Sequence, residues 1–203
     1  MQHGFALLLL LCVNISHAFA ADDDIISRLK HDPALIKLDQ VCPSQWLAAT
    51  TQHVEHVDYS ASCSSTSRDC FSKCMAGSAN HCVGLARHLQ VSGVESQYSD
   101  RLYALGCQYG SVTACTNRAA GIMRYSPTKT SCYAKSFELT CNQQDAWGCT
   151  MYGFILSRGI GVNQQLEKAR HVLKTGCKFG IEDDACKYAM AIEKELATVP
   201  QTP

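Results

Sequence analysis

The 203-residue sequence has no excess charge of either sign: eighteen Lys and Arg balance eighteen Asp and Glu. A neutral chain builds no basic field to draw in nucleic acid or an anionic lipid surface, so no nucleic-acid partner is expected. After the first twenty residues no apolar run approaches the roughly 20 residues needed to span a bilayer, so no membrane span is expected either. Strand-like alternation of useful length is missing, and catalytic signatures are scarce. There is no Gly-x-Ser-x-Gly elbow, no Gly-rich phosphate loop and no His-Glu-x-x-His. What remains, 46% apolar and 18% charged residues, suits one globular domain with a sizeable core and excludes disorder over most of the chain.

Cysteine, by contrast, is abundant, with thirteen in the chain. That number needs disulfides, metal or clusters to explain it. The compartment is read from residues 1–20. Phe5 to Val13 form an apolar run, and Ala18-Phe19-Ala20 reads as a small-x-small cleavage site before Ala21, the pattern of a secretory signal peptide, although no Lys or Arg precedes the run. Cys12 raises the question of a lipoprotein signal, but Leu11 stands where a small residue is wanted. Removing residues 1–20 removes Cys12 and leaves twelve cysteines, an even number. In an exported chain that is read first as a disulfide framework, in the periplasm or outside the cell.

The spacing of the cysteines carries a period. Seven residues separate Cys74 from Cys82, Cys107 from Cys115 and Cys141 from Cys149, and eight separate Cys177 from Cys186. The first members recur at intervals of 33, 34 and 36 residues, the range of helical-hairpin solenoids. Between the pairs the chain reads as helices: Asn80 to Val91, Tyr98 to Tyr109, Ser111 to Tyr125, Ser131 to Asn142, Asp145 to Ser157, Gln164 to Lys174 and Asp183 to about Leu196. In Gln164 to Lys174, Leu166, Ala169, Val172 and Leu173 share one face at the 3.6 period, with Asn163 as its expected cap.

Ala-Trp-Gly148-Cys149-Thr-Met-Tyr-Gly153, Gly159-Ile-Gly161-Val162, Glu167-Lys168-Ala169 and Gly176-Cys177-Lys-Phe-Gly180 resemble the Sel-one-like repeat, a relative of the tetratricopeptide repeat. The cysteine closing one helix, with its mate seven residues on, is similar to the Helicobacter cysteine-rich protein branch of that family. Two places depart from the pattern. Tyr125 and Pro127 stand where a Gly-x-Gly-Val turn is expected, and Gln144 replaces the glycine found as Gly77, Gly110 and Gly180. The resemblance covers roughly Cys74 to Ala191 and implies an all-α, right-handed superhelix of disulfide-stapled hairpins. A cysteine in the last turn of one helix and another in the first turn of the next can bring their alpha carbons within the required roughly 4.4–6.8 Å. The expected bridges are Cys74–Cys82, Cys107–Cys115, Cys141–Cys149 and Cys177–Cys186, each contributing about 2.5 kcal/mol in the chain-entropy model.

Cys42, Cys63, Cys70 and Cys132 lie outside these pairs. They allow three connectivities, and the one we favour joins Cys42 to Cys63 and Cys70 to Cys132; free thiols remain open. The expected organisation is a signal peptide at 1–20, a helical cap and Ser-rich linker at 21–69, the repeats at 70–196 and a tail at 197–203. Within the cap, Pro33 to Val41 and Ser44 to Val57 read as helices.

A metal reading competes at one place, where Cys63, Cys70, Cys74, His81 and Cys82 crowd together, and at another, where His53 and His56 stand at i,i+3. The repeat pattern already accounts for Cys74 and Cys82, and a surface helix face accounts for the histidines, so no metal and no cofactor is expected. The resemblance also implies a possible β-lactam or peptidoglycan-fragment ligand, with weak β-lactamase-like chemistry. Fragments of the required motifs occur in Ser27-Arg28-Leu29-Lys30, Ser126-Pro127-Thr128-Lys129 and Lys174-Thr175-Gly176. The last falls at a helix end, not on an edge strand, and an even cysteine count leaves no spare nucleophile.

What remains is recognition by a monomeric scaffold. In stacked hairpins the first helix of each lines the concave side. Counting five, eight and nine residues beyond the second cysteine of each pair gives Arg87, Gln90 and Val91; Ala120, Met123 and Arg124; Phe154, Ser157 and Arg158. From these, Arg87, Met123, Arg124, Phe154 and Arg158 are the candidates for contacting a protein partner, such as an exported toxin held by an inhibitor or immunity protein.

Overall fold

The computed structural model describes residues 23–47, 63, 66–91 and 96–198. The signal peptide with Cys12, the pair His53 and His56, most of the Ser-rich linker and all but the first two residues of the tail lie outside the described residues.

Helix α1 covers 23–31. It is followed by α2 (Pro33–Lys37), a 3-10 turn (Leu38–Gln40) and α3 (Pro43–Leu47). The repeats then run α4 (Ser67–Met75), α5 (Ala79–Val91), α6 (Ser96–Gln108), α7 (Val112–Tyr125), α8 (Thr130–Asn142), α9 (Ala146–Arg158), α10 (Leu166–Gly176) and α11 (Asp184–Ala197). No strand occurs among the described residues. Short polar side chains start several of these helices by accepting from otherwise orphaned amides. Thr66 accepts from the Asp69 amide, Ser111 from Ala114, Asp145 from Gly148 and Asp183 from Ala185.

The four expected bridges are all present, with alpha carbons 4.6 Å apart in Cys74–Cys82 and Cys107–Cys115, 4.3 Å in Cys141–Cys149 and 4.2 Å in Cys177–Cys186. Each joins the end of a trailing helix (α4, α6, α8, or the residue just past α10) to the start of the next leading helix (α5, α7, α9, α11). So close a crossing leaves little room beside the sulfurs. A Cβ built on Gly106 would lie 2.9 Å from the Ala114 Cβ, and one on Gly148 would collide with the Thr140 side chain. At both crossings glycine is therefore the residue that permits the staple.

Successive leading helices touch one another, α5 with α7, α7 with α9 and α9 most closely with α11; of the trailing helices α4 touches α6, whereas α6 and α8, or α8 and α10, share no comparable contact. From α7 onward this spacing makes the leading helices the inner row of the stack.

Two expectations need correction. The four cysteines outside the repeat pairs join as Cys42–Cys132 and Cys63–Cys70, not as Cys42–Cys63 and Cys70–Cys132. The reason is the path of residues 23–47 over the stack of repeat helices. They form a strap along its flank: Arg28 lies over the Phe71 ring of α4, Arg101 of α6 donates to the Leu29 carbonyl, and α3 packs on α6, α7 and α8. That course carries Cys42 to α8, while Cys63 stays beside α4. Ile25, Leu29, Leu35, Leu38 and Leu47 of the strap are buried in one apolar cluster with Phe71, Leu85, Leu89, Leu102 and Tyr103.

The other correction concerns a turn, and two further turns follow the departures from the repeat pattern at Tyr125, Pro127 and Gln144. Asn163 does not cap α10; the N-cap is Gln165, whose amide donates to the Leu156 carbonyl while the Gln164 side chain donates to the Ser157 carbonyl. The loop is thus bonded back onto α9, and the helix begins at Leu166. In the second repeat, α7 ends at Ser126 with no left-handed residue, whereas Gly159 and Gly161 take φ of 68° and 67° in the third. Gln144 adopts φ 62° where its glycine counterparts lie between 95° and 103°, so the corner is made by a residue with a side chain.

Candidate functional site

The leading helices carry a row of outward positions at constant register. Arg87, Gln90 and Val91 of α5 are exposed, Val91 to 89%. On α7, Arg124 is exposed, while Ala120 and Met123 are half-buried and pack on the core cluster. On α9, Arg158 is exposed and Phe154 half-buried, with the Arg158 guanidinium 5.9 Å from the Phe154 ring centroid. Ser157 does not belong to the row. It is 3% exposed and donates to the Phe154 carbonyl, a bond that folds the hydroxyl back on its own helix. The same register on α11 adds Lys194 and Glu195, and Glu195 pairs with Arg158. Gln90 is partly engaged, because its side-chain oxygen accepts from the buried Tyr103 hydroxyl at 2.9 Å. Burial of that phenol raises its pKa well above the ordinary tyrosine value.

Beside the row, where the strap meets α6 and α7, lies a charged crevice of about 190 Å³. Asp39 of the strap accepts from Arg101 at 2.8 Å and lies 3.6 Å from Arg118, which is in turn 3.7 Å from Asp100. Asp100 and Arg118 are 4% and 6% exposed. Burial pushes the Asp100 carboxyl up to about 6, against the pull of Arg118 and Arg124. Burial likewise lowers the pKa of Arg118. Asp100 Oδ2 and Arg118 Nε have no hydrogen-bond partner.

The sequence reading missed this cluster, yet the register contained its signal. Three residues past the second cysteine stand Leu85, Tyr152 and Ala189 in the other repeats, all buried, and Arg118 in the second. Six residues past it stand the buried Ile155 and Ile192 in the third and fourth repeats, the exposed His88 in the first and the buried Gly121 in the second. A Cβ on Gly121 would collide with the Asp100 carboxylate. An arginine at a position buried in every repeat, with a glycine one turn on that makes room for the Asp100 carboxylate, marks a polar interior.

The catalytic fragments do not assemble. Ser27 and Lys30 are exposed on α1, and Lys30 lies over the Tyr98 ring. Ser126 caps α7 and lines the charged crevice, but its side chain shares no hydrogen bond with Lys129, which is exposed at the start of α8. Lys174-Thr175-Gly176 ends α10. Of the crowded cysteines, Cys63 is bonded to Cys70 and Cys74 to Cys82, while His81 Nδ1 lies 2.6 Å from Ser78 Oγ. Among the described residues no three His, Cys, Asp or Glu side chains gather as a metal site, and no helix is long and apolar enough to cross a membrane.

The fold and the row together define an all-α repeat protein stapled by six disulfides. In structure the chain is similar to Helicobacter pylori cysteine rich protein B, with 18% sequence identity and a TM-score of 0.44 over 62% of this chain and 98% of that one. No family model and no curated protein matches the sequence.

Proposed function

We propose that the protein is an extracytoplasmic scaffold that binds a protein partner stoichiometrically on its leading helices. The observation that carries this reading is the row itself: Arg124 and Arg158 stand exposed at the same place on successive leading helices and Arg87 about one turn earlier on α5, interleaved with the half-buried Met123 and Phe154. Arginine and large apolar side chains on a rigid surface are the combination from which binding hot spots are built. Six bridges hold that surface in shape and suit an oxidising compartment, and preorganisation lowers the ordering cost of association. An exported toxin neutralised by this chain is the partner class to test first.

The test is affinity capture with the oxidised protein, followed by titration of the captured partner against variants. Replacing Arg87 or Arg158 by Glu should weaken the complex by more than about 1 kcal/mol if either lies near a buried contact. Reducing the bridges should weaken it more than either replacement. Normal binding by both charge-reversed variants would move the site off the leading helices. The β-lactam reading is tested separately, by comparing nitrocefin turnover in the wild type and Ser126→Ala.

A further inference from the structure

The six bridges are not equally protected. In Cys74–Cys82, Cys107–Cys115 and Cys141–Cys149 both cysteines are buried, and in Cys63–Cys70 and Cys177–Cys186 one is. Cys42–Cys132 is the bridge in which both are partly exposed. It also differs in what surrounds it. The Ser44 hydroxyl donates to Cys42 Sγ at 3.1 Å. Ser44 is held there through its amide, which donates to Ser136 Oγ at 3.1 Å. Ser136 is fully buried, donates to the Cys132 carbonyl oxygen at 2.8 Å and lies 3.6 Å from Cys42 Sγ. One sulfur of this bridge therefore faces a fixed hydroxyl donor and the other does not.

The geometry points to Cys42–Cys132 as a thiol-exchange site with a preferred direction of attack. The co-reactant is an external thiolate, from a small thiol or from a dithiol oxidoreductase. It attacks Cys132 Sγ; the sulfur–sulfur bond breaks, its electron pair leaves on Cys42 Sγ, and a mixed disulfide forms on Cys132. Attack favours the sulfur whose partner is the better leaving group. A hydroxyl hydrogen bond to an ionised acceptor is stronger than one to a neutral acceptor, so Ser44 stabilises the departing Cys42 thiolate more than the intact bridge. A second thiolate then attacks the mixed disulfide, releasing Cys132 as a thiolate while the external reductant leaves as its own disulfide.

Opening this bridge releases the strap's covalent tie to α8 and leaves the four repeat staples intact. The strap keeps its apolar anchors Ile25, Leu29, Leu35, Leu38 and Leu47 and the Asp39 pairs, so exchange acts on a folded protein.

The probe is reduced glutathione, added stepwise to the oxidised protein, followed by acid quench, alkylation with N-ethylmaleimide and peptide mapping. The expected result is glutathione on Cys132 and alkylated Cys42 before any repeat cysteine reacts. Ser44→Ala should slow this step by about threefold or more, because the leaving thiolate loses its donor. Ser44→Thr, which keeps the hydroxyl, should restore the rate, with circular dichroism confirming that both variants fold. Opening of Cys63–Cys70 or Cys177–Cys186 first, glutathione carried on Cys42, or unchanged exchange in folded Ser44→Ala would each overturn the assignment.

Discussion

Replacing Asp100 by Asn should make the protein more stable at neutral pH, although Asp100 is part of an ion-pair cluster. The carboxyl is 4% exposed, and burial raises it from 3.8 to about 6 even with Arg118 and Arg124 opposing. A carboxyl that holds its proton more tightly folded than unfolded favours the fold in its protonated form. That stability is fully present below the unfolded value near 3.8, drains away as pH rises to about 6, and stays lost above it. At about 1.4 kcal/mol per pH unit between the two values, the ionised side chain costs about 3 kcal/mol at neutral pH. Asparagine fills nearly the same volume without the charge. Its amide will not satisfy every neighbour, which takes back about 1 kcal/mol or more. The expected gain is about 1–2 kcal/mol at pH 7.5, falling to zero or slightly below it at pH 4. Urea unfolding of both oxidised proteins at the two pH values measures it. Glu138, held low mainly by the Lys135 hydrogen bond, loses stability as pH falls, but equally in both proteins, so the difference isolates Asp100. An Asp100→Asn protein that is less stable at pH 7.5, or equally shifted at both pH values, would show that pairing with Arg118 outweighs burial.

Asp145 accepts from the Gly148 amide at 2.7 Å, Thr116 at 2.9 Å and Thr113 at 3.1 Å, tying α9 to α7. Asp145→Ala removes a cap and strands two hydroxyls, which should cost about 2–3 kcal/mol by urea unfolding. Gln144→Gly should relieve a left-handed backbone and raise stability by roughly 0.5–1 kcal/mol, read as a higher melting temperature. Gly121→Ala should push the Asp100 carboxylate out of its seat and destabilise by about 1–3 kcal/mol, and the loss should be smaller when combined with Asp100→Ser.

The period of the cysteines made the repeats legible because the staple, the cap before it and the glycine corner recur at fixed offsets from a residue type that is easy to see. All seven expected repeat helices are found within about two residues of their expected ends. The strap was not legible in the same way. Its helices are short, its place is set by scattered leucines packing on α4, α6 and α8, and its one covalent tie, Cys42–Cys132, spans 90 residues with no local pattern. The charged crevice joins Asp39 to residues about 60 and 80 positions further on, so only a comparison between repeats could have exposed it. Ser157 failed for a different reason: spacing placed it on the outer face, but its hydroxyl bonds the backbone of its own helix and turns inward.

The same comparison between repeats predicts opposite responses at one register position. Four residues past the second cysteine stand Ala86, Ala119, Gly153 and Met190. The first three are buried, because there the leading helix meets the trailing helix that follows it. At Gly153 the approach is closest: an added Cβ would lie 2.5 Å from Leu173 Cγ, and Leu173 is itself 1% exposed, with nowhere to move. Met190 is 51% exposed, since no described helix packs on that side of α11. Side-chain size at this position therefore tracks how closely a described helix packs against it. Gly153→Met should destabilise by about 3 kcal/mol, as overpacking forces α9 and α10 apart. Met190→Gly, the reverse exchange on α11, should cost only about 1 kcal/mol, the loss of helix propensity. Urea unfolding of the two oxidised variants compares them directly. A Met190→Gly loss as large as that of Gly153→Met would mean that the exposed side of α11 is packed in the folded protein.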